Sequence, residues 1–392
     1  MNPKIHLLRD YPFEKLQRLL SAIKPQEPLI DLSIGEPKLP TPPIIGQAMT
    51  EHLARLAVYP QTKGELQLRE IMAQWLSQRY GLTRIDPQTE VLPINGSREG
   101  LFGIAQVLVH PDRPYVLIPN PFYQIYEGAV HMAGGIPYYL NRRRESHYAL
   151  DWHRIPDTIW QKTSFCYICS PDNPTGQVMS DQDWQDLITQ CQRFGVVIVA
   201  DECYSEIYPT QTPTGLLEAA SKMGLDNYAN MIVFNSLSKR SNCPGLRSGL
   251  CAGDQSILKE YYRYRTYQGG AMSPVIQKAS IAAWQDESHV QDNRAHYRAV
   301  FFEVAKFTHL ASAIPQGGFY LWLPTPIVDT EFAIKAYEKG IKLLPGSFLA
   351  TEHQGINPGA YHVRVSLTAP LAACALALPI LAALLALPTD ER

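Results

Sequence analysis

Short apolar runs alternate with amphipathic stretches along most of this chain. Val91–Ile94 reads as a strand, and Arg98–Val109 follows as a helix with Leu101, Phe102, Ala105, Leu108 and Val109 on one face. Tyr115–Pro119 is the next strand and Gln124–Ala133 the next helix. Ser164–Cys169, the helix Asp181–Phe194, Val196–Ala200, Met231–Asn235 and Gly249–Ala252 continue the series. Strands this continuously apolar need cover on both faces, which predicts a largely parallel sheet between layers of helices. The fold class is α/β.

Past Ala271 the pattern changes. Ser273–Gln285 and Val290–Thr308 read as helices, with Phe319–Leu323, Ile341–Leu344 and Tyr361–Leu367 as short strands among helices, which predicts a smaller α+β unit. The Pro- and Gly-rich stretch from Ser33 to Pro43 reads as loop. Ala369 to Pro388 carries no charge over about the length that could cross a bilayer. Its many alanines, and Pro370, Pro379 and Pro388, point instead to a last, Pro-interrupted helix packed on its own domain.

Composition narrows the class. A chain of 392 residues, 45% hydrophobic and 18% charged, is globular and too long for one small domain; at ~150 residues per domain the prior is two or three. With Lys+Arg 35 against Asp+Glu 37, the net charge of -2 removes the broad attraction that nucleic-acid binders and membrane-surface proteins rely on. Any anionic ligand must be held by a few placed groups. The 7 cysteines are odd in number and scattered, as in a cytoplasmic protein with reduced thiols, and no apolar secretory signal opens the chain. Cys166-x-x-Cys169 lies inside an apolar run without a second such pair, so it reads as two strand thiols and no metal site is expected.

Polar clusters follow the strands, where open α/β sheets bind ligands. Val91–Ile94 runs into Asn95-Gly96-Ser97-Arg98, a turn that exposes backbone N–H groups at a helix start, suited to an anion. Ser164–Cys169 runs into Ser170-Pro-Asp-Asn173-Pro-Thr-Gly176, where prolines fix the backbone and Asn173 offers an amide. Val196–Ala200 ends in Asp201-Glu-Cys-Tyr204; an acid after a buried strand needs a cationic partner. Met231–Asn235 leads to Ser236-Leu-Ser238-Lys239, with Arg247 further on. Ser236 and Arg247 could jointly hold a phosphate. A Lys, an Asp, a Tyr, an Asn and a phosphate cradle fit one cofactor, pyridoxal phosphate: the lysine condenses with its aldehyde, the aspartate keeps the pyridine nitrogen protonated, and Tyr204 and Asn173 bond the phenolic oxygen.

S-L-S-K-x5-G-L-R-x-G around Lys239, S-P-x-N-P-T-G around Asn173 and D-E-x-Y around Asp201 together resemble the class I/II pyridoxal-phosphate aminotransferases of fold type I. The resemblance implies a large cofactor domain, about residues 50–285, and a small domain built from 1–49 and 286–392. It also implies that Tyr123 stacks on the pyridine ring and that Gly96, Ser97 and Arg98 bind phosphate chiefly through main-chain groups. Ser236, Ser238 and Arg247 belong to the same cradle. Tyr59, in Y-P-Q-T-K-G, would reach the phosphate of a neighbouring subunit, so a homodimer is implied. Arg364 would clamp the substrate α-carboxylate, with Gly35 and Asn173 beside it. Lys239 would shuttle a proton during transfer of an amino group between amino and keto acids.

A narrower set of motifs is similar to the N-succinyldiaminopimelate branch of that family: Y-P-F-E-K-L, L-S-I-G-E-P-K-x-P-T-P, N-G-S-R-E-G-L-F, F-Y-Q-I-Y-E-G-A and G-G-F-Y-L-W. That implies glutamate and N-succinyl-2-amino-6-oxopimelate as substrates. Both carry carboxylates far from the reacting carbon, and Arg240 and Arg98 are candidates for a second anion site. The same scaffold also hosts β-lyases and aminotransferases of other amino acids and, remotely, cofactor-sensing regulatory modules.

Overall fold

The computed structural model describes residues 1–388. Seven strands form the main sheet: β2 (Val91–Ile94), β3 (Tyr115–Asn120), β4 (Ile136–Asn141), β5 (Thr163–Cys169), β6 (Val197–Asp201), β7 (Met231–Ser236) and β8 (Gly249–Gly253), in the order β2-β8-β7-β6-β5-β3-β4. All pairings are parallel except those of β8, which runs antiparallel to both its neighbours. Every residue of β5, β6, β7 and β8 is buried, as expected of strands covered on both faces.

Alternate residues divide between two cores. Cys166, Ile168, Ile198, Ala200 and Val233 join Leu76, Leu187, Ala219 and Ala279 from helices on one face. Phe165, Tyr167, Val197, Val199 and Ile232 join Leu101, Val130 and Leu258 from helices on the other. The period of two is the strand's own geometry. Helix ends follow local chemistry: Asp181–Phe194 starts on a capping box between Ser180 and Asp183 and stops at Gly195, whose φ of 62° suits glycine.

Both chain ends build the second group of strands. β1 (Ile30–Asp31) pairs in parallel with β10 (Ile341–Lys342), and β11 (Leu344–Pro345), β12 (His362–Ser366) and β9 (Tyr320–Pro324) form a three-stranded antiparallel sheet. The Ser366 N–H donates to the Leu32 carbonyl (2.7 Å), tying the N-terminal segment to the C-terminal strand. Helix Leu371–Leu385 packs Cys374, Ala377, Leu378, Leu381 and Leu384 into this core. No helix among the described residues is long and apolar enough to cross a membrane.

The structure departs from the sequence reading at several elements. β4, which the sequence reading left out, is an edge strand whose apolar run (Ile136–Leu140) is interrupted by Pro137; an edge tolerates the missing N–H. Helices Leu66–Tyr80 and Gln255–Gln268 are additional. Ile341–Leu344 is not one strand: Leu343 separates β10 and β11, which serve different sheets. The long helix predicted over Val290–Thr308 runs Ser288–Ala305, and a separate turn of helix follows at Thr308–Ala311.

Candidate active site

The carboxyl ends of β5, β6 and β7 open into a cavity of about 550 Å³, walled on the other side by Gly35, Tyr320 and Arg364. Lys239 lies on a single helical turn, Leu237–Arg240, which starts where the Ser236 hydroxyl accepts from the Ser238 N–H (3.1 Å). The Lys239 ammonium donates to the Gly35 carbonyl. Burial brings its pKa down to about 8. Asn293 secures the turn from behind by donating to the Lys239 carbonyl (3.0 Å).

Asp201 ends β6 and is buried. It accepts from the Tyr126 hydroxyl (2.6 Å) and the Cys203 N–H (3.3 Å), neutral donors both. Burial lifts its pKa above the usual carboxylate range. Among the described residues no cation lies within ion-pair distance of it, although it borders the cavity. Such a carboxylate is complementary to a ligand cation.

Gly96 caps helix Ser97–Leu108 with φ 83° and ψ 153°. A Cβ there would lie 2.2 Å from Arg247 Nη2, so glycine admits the guanidinium to the helix start. Among the described residues Arg247 donates only to carbonyls, of Pro244 (2.9 Å) and Asn95 (3.2 Å), which leaves its charge unneutralised. Ser97, Ser236 and Ser238 line the same cavity. This cradle suits a dianion.

Arg364, on β12, donates to Asn173 Oδ1 (2.9 Å) and the Ser33 carbonyl (2.8 Å); its Nε is buried without a hydrogen-bond partner among the described residues. Arg98 donates to the hydroxyls of Tyr123 (2.6 Å) and Tyr11 (3.3 Å). Neither arginine has a carboxylate partner among the described residues.

Thirteen of the sequence-derived positions therefore meet in one cavity: Gly35, Ser97, Arg98, Tyr123, Asn173, Asp201, Tyr204, Ser236, Ser238, Lys239, Arg247 and Arg364 line it, and Gly96 forms the turn at its edge. Tyr59 does not join them; it is 98% exposed on the surface. Arg240 is corrected: it points away from the cavity, buried between Trp75 and Trp284 (5.5 and 5.0 Å to the ring centroids) and paired with Glu287. Its charge is used inside the fold and cannot receive a substrate. Tyr11, Phe13, Glu36, Cys203 and Tyr320 also line the cavity and were missed. Their motifs, Y-P-F, G-E-P, D-E-C-Y and G-G-F-Y, were legible, but only the fold brings them to one place.

A buried acid awaiting a cation, a glycine-capped anion cradle and a lysine of lowered pKa define a site for a phosphorylated pyridine aldehyde. The profile of the family Aminotransferase class I and II matches residues 27–373. An aminotransferase from Neisseria meningitidis Z2491 is similar at TM-score 0.93 and 41% identity, over 98% of this chain and 100% of that one. Aminotransferase AspB from Helicobacter pylori 26695 gives 0.90 and 33%, over 96% and 98%. The LL-diaminopimelate aminotransferase of Nitratidesulfovibrio vulgaris is 30% identical over 352 residues, 87% of each chain. The chain belongs to the class I and II aminotransferases, and its cofactor is pyridoxal phosphate.

Proposed function

We propose that this enzyme transfers an amino group between glutamate and a diaminopimelate-type keto acid, with N-succinyl-2-amino-6-oxopimelate as the acceptor. The observation that carries the reading is the pair Arg98 and Arg364, two guanidinium groups on one cavity, each without a carboxylate partner among the described residues. A substrate with a carboxylate at each end would satisfy both. The motifs shared with the succinyl branch support the acceptor. The relatives named LL-diaminopimelate aminotransferase support a second reading, in which the unsuccinylated diamine is the substrate.

Bound pyridoxal phosphate supplies an electron sink that acidifies the substrate Cα–H. The chain's own groups do the rest. Asp201 would keep a proton on the pyridine nitrogen, and Tyr204 and Asn173 would bond the phenolic oxygen. Tyr123 would cover the ring. The N–H groups at Gly96, Ser97 and Arg98, with Ser236, Ser238 and Arg247, would hold the phosphate. Tyr59 would reach that phosphate in a partner subunit, which would make the working unit a homodimer. Arg364, beside Gly35, would fix the α-carboxylate, and Lys239 would take up the substrate's Cα proton. The large domain, 50–285, presents the cofactor groups, and the small domain, 1–49 with 286–392, presents the carboxylate clamp.

The test is a coupled assay of 2-oxoglutarate formation from glutamate with the succinylated acceptor, run beside 2-oxoglutarate-dependent turnover of LL-diaminopimelate. Preference for the free diamine selects the second reading. Preference for a monocarboxylic or aromatic donor over both rejects the pair-of-arginines argument. Arg98→Ala should raise KM for glutamate and for the succinylated acceptor while sparing alanine, whereas Arg364→Ala should raise KM for every amino acid.

A further inference from the structure

Tyr320 borders the cavity from β9 and is 2% exposed. Its hydroxyl lies 3.1 Å from the Tyr204 hydroxyl. Its ring lies under the Arg364 guanidinium, 4.4 Å from carbon to centroid. A Cβ at position 35 would fall 1.8 Å from the Tyr320 hydroxyl, so Gly35 is what leaves that hydroxyl its place. Phe319 packs edge-on against Tyr204 (5.4 Å, 90°) and limits the ring's movement. Packing on several sides therefore imposes the contact between the two hydroxyls.

Each phenol has one proton to donate, and burial keeps both neutral. The direction of the bond between them follows from Arg364. The cation over the Tyr320 ring favours loss of that phenol's proton, making Tyr320 the stronger donor of the two. Tyr320 then donates to Tyr204, whose own proton is left for an acceptor in the cavity and is strengthened by polarisation along the chain.

We propose that Tyr320 is a positioning residue with two parts: its hydroxyl donates to Tyr204 and directs that residue's proton onto the phenolic oxygen of the cofactor, and its ring sets the plane of the Arg364 fork. The proposal rests on Tyr204 facing the cofactor, as read above. It couples the group that tunes the cofactor to the group that takes the substrate carboxylate.

The experiment uses holoenzyme without substrate and follows the visible absorption of bound pyridoxal phosphate against pH. A hydrogen bond from Tyr204 favours the anionic oxygen and so the deprotonated chromophore; weakening that donor raises the absorption midpoint. Tyr11, Glu36, Arg98, Tyr123, Asp201, Cys203, Lys239, Arg247 and Arg364 also line the cavity, and they are unchanged between wild type and variant. Tyr320→Phe should raise the midpoint by roughly half a unit to one unit. It should leave KM for glutamate within about twofold, because the ring remains under Arg364. Tyr320→Leu should raise the midpoint equally and also raise KM for glutamate several-fold. In a Tyr204→Phe background, Tyr320→Phe should add no further shift. An unmoved midpoint in Tyr320→Phe, where Tyr204→Phe alone moves it, overturns the inference, as do additive shifts in the double variant. An unmoved midpoint in Tyr204→Phe overturns the reading of Tyr204 itself. Wild-type KM in Tyr320→Leu overturns the role of the ring.

Discussion

Replacing Gly96 with alanine tests the anion cradle most directly. The residue sits at φ 83° and ψ 153°, a region that only glycine enters without strain, costing other residues on the order of 1–3 kcal/mol. The added Cβ also meets Arg247, 2.2 Å from Nη2 and 2.7 Å from Cζ. The guanidinium is the mobile end of a long side chain, so it yields before the backbone does. In yielding it gives up its bonds to Pro244 (2.9 Å) and Asn95 (3.2 Å), and with them the orientation proposed to hold a phosphate. A charge-assisted hydrogen bond is worth about 1.5–3 kcal/mol, which corresponds to roughly tenfold to hundredfold in Kd. Gly96→Ala should therefore weaken pyridoxal phosphate binding by that factor, measured by titrating cofactor-free protein. Urea unfolding of the same protein should show a loss of about 1–3 kcal/mol. Gly245→Ala is the control, because a Cβ there meets nothing within 4 Å. Wild-type cofactor affinity in a folded Gly96→Ala protein would refute the cradle.

Three further outcomes follow from the same geometry. With Lys239 titrating at about 8, its neutral, nucleophilic fraction at pH 7 is about a tenth, against about three in ten thousand for an ordinary lysine; the rate at which cofactor-free protein captures pyridoxal phosphate, read by stopped-flow absorbance, should rise with pH to a midpoint near 8. Asp201 has a raised pKa, so the stability it contributes is present at low pH and is lost as pH rises past the ordinary carboxylate value; Asp201→Asn should melt a few degrees higher than wild type at pH 7 without cofactor, converge with it near pH 4, and lose at least ~100-fold in turnover. Arg240→Met should destabilise the protein through the lost Glu287 pair and tryptophan packing, while KM for glutamate stays within twofold; a KM rise without loss of stability would return Arg240 to the substrate site.

The parts of the fold that could be read from the sequence are those where burial is one-sided or complete. Strands β5 to β8 announce themselves because every position is buried, and the helix Asp181–Phe194 because Ser180 and Gly195 mark its ends. β4 stays hidden because Pro137 sits inside its run, which only an edge strand tolerates. Leu66–Tyr80 buries eight residues spread around much of its circumference, Arg69 among them, and so lacks a narrow stripe. At the site, Lys239, Asp201 and Asn173 were legible because each lies at the end of its strand or within four residues of it. Tyr11 and Tyr320 were not, because they arrive from the N-terminal segment and from β9 through tertiary packing. Arg240 misled for the same reason: its neighbour in sequence faces the cavity, but one step along a helix turns a side chain by about 100°.

The pairing of Ile30 with Ile341 carries a consequence for the newborn chain. On a ribosome adding ~5–20 residues per second, β1 emerges some tens of seconds before its partner exists. All seven strands of the main sheet, from Val91 to Gly253, are made within that interval. The main sheet can therefore close while the amino-terminal segment is still waiting. The proposed carboxylate clamp at Arg364 comes only with β12, long after the main sheet, so a polypeptide cut short between the two would hold the proposed anion cradle without that arginine.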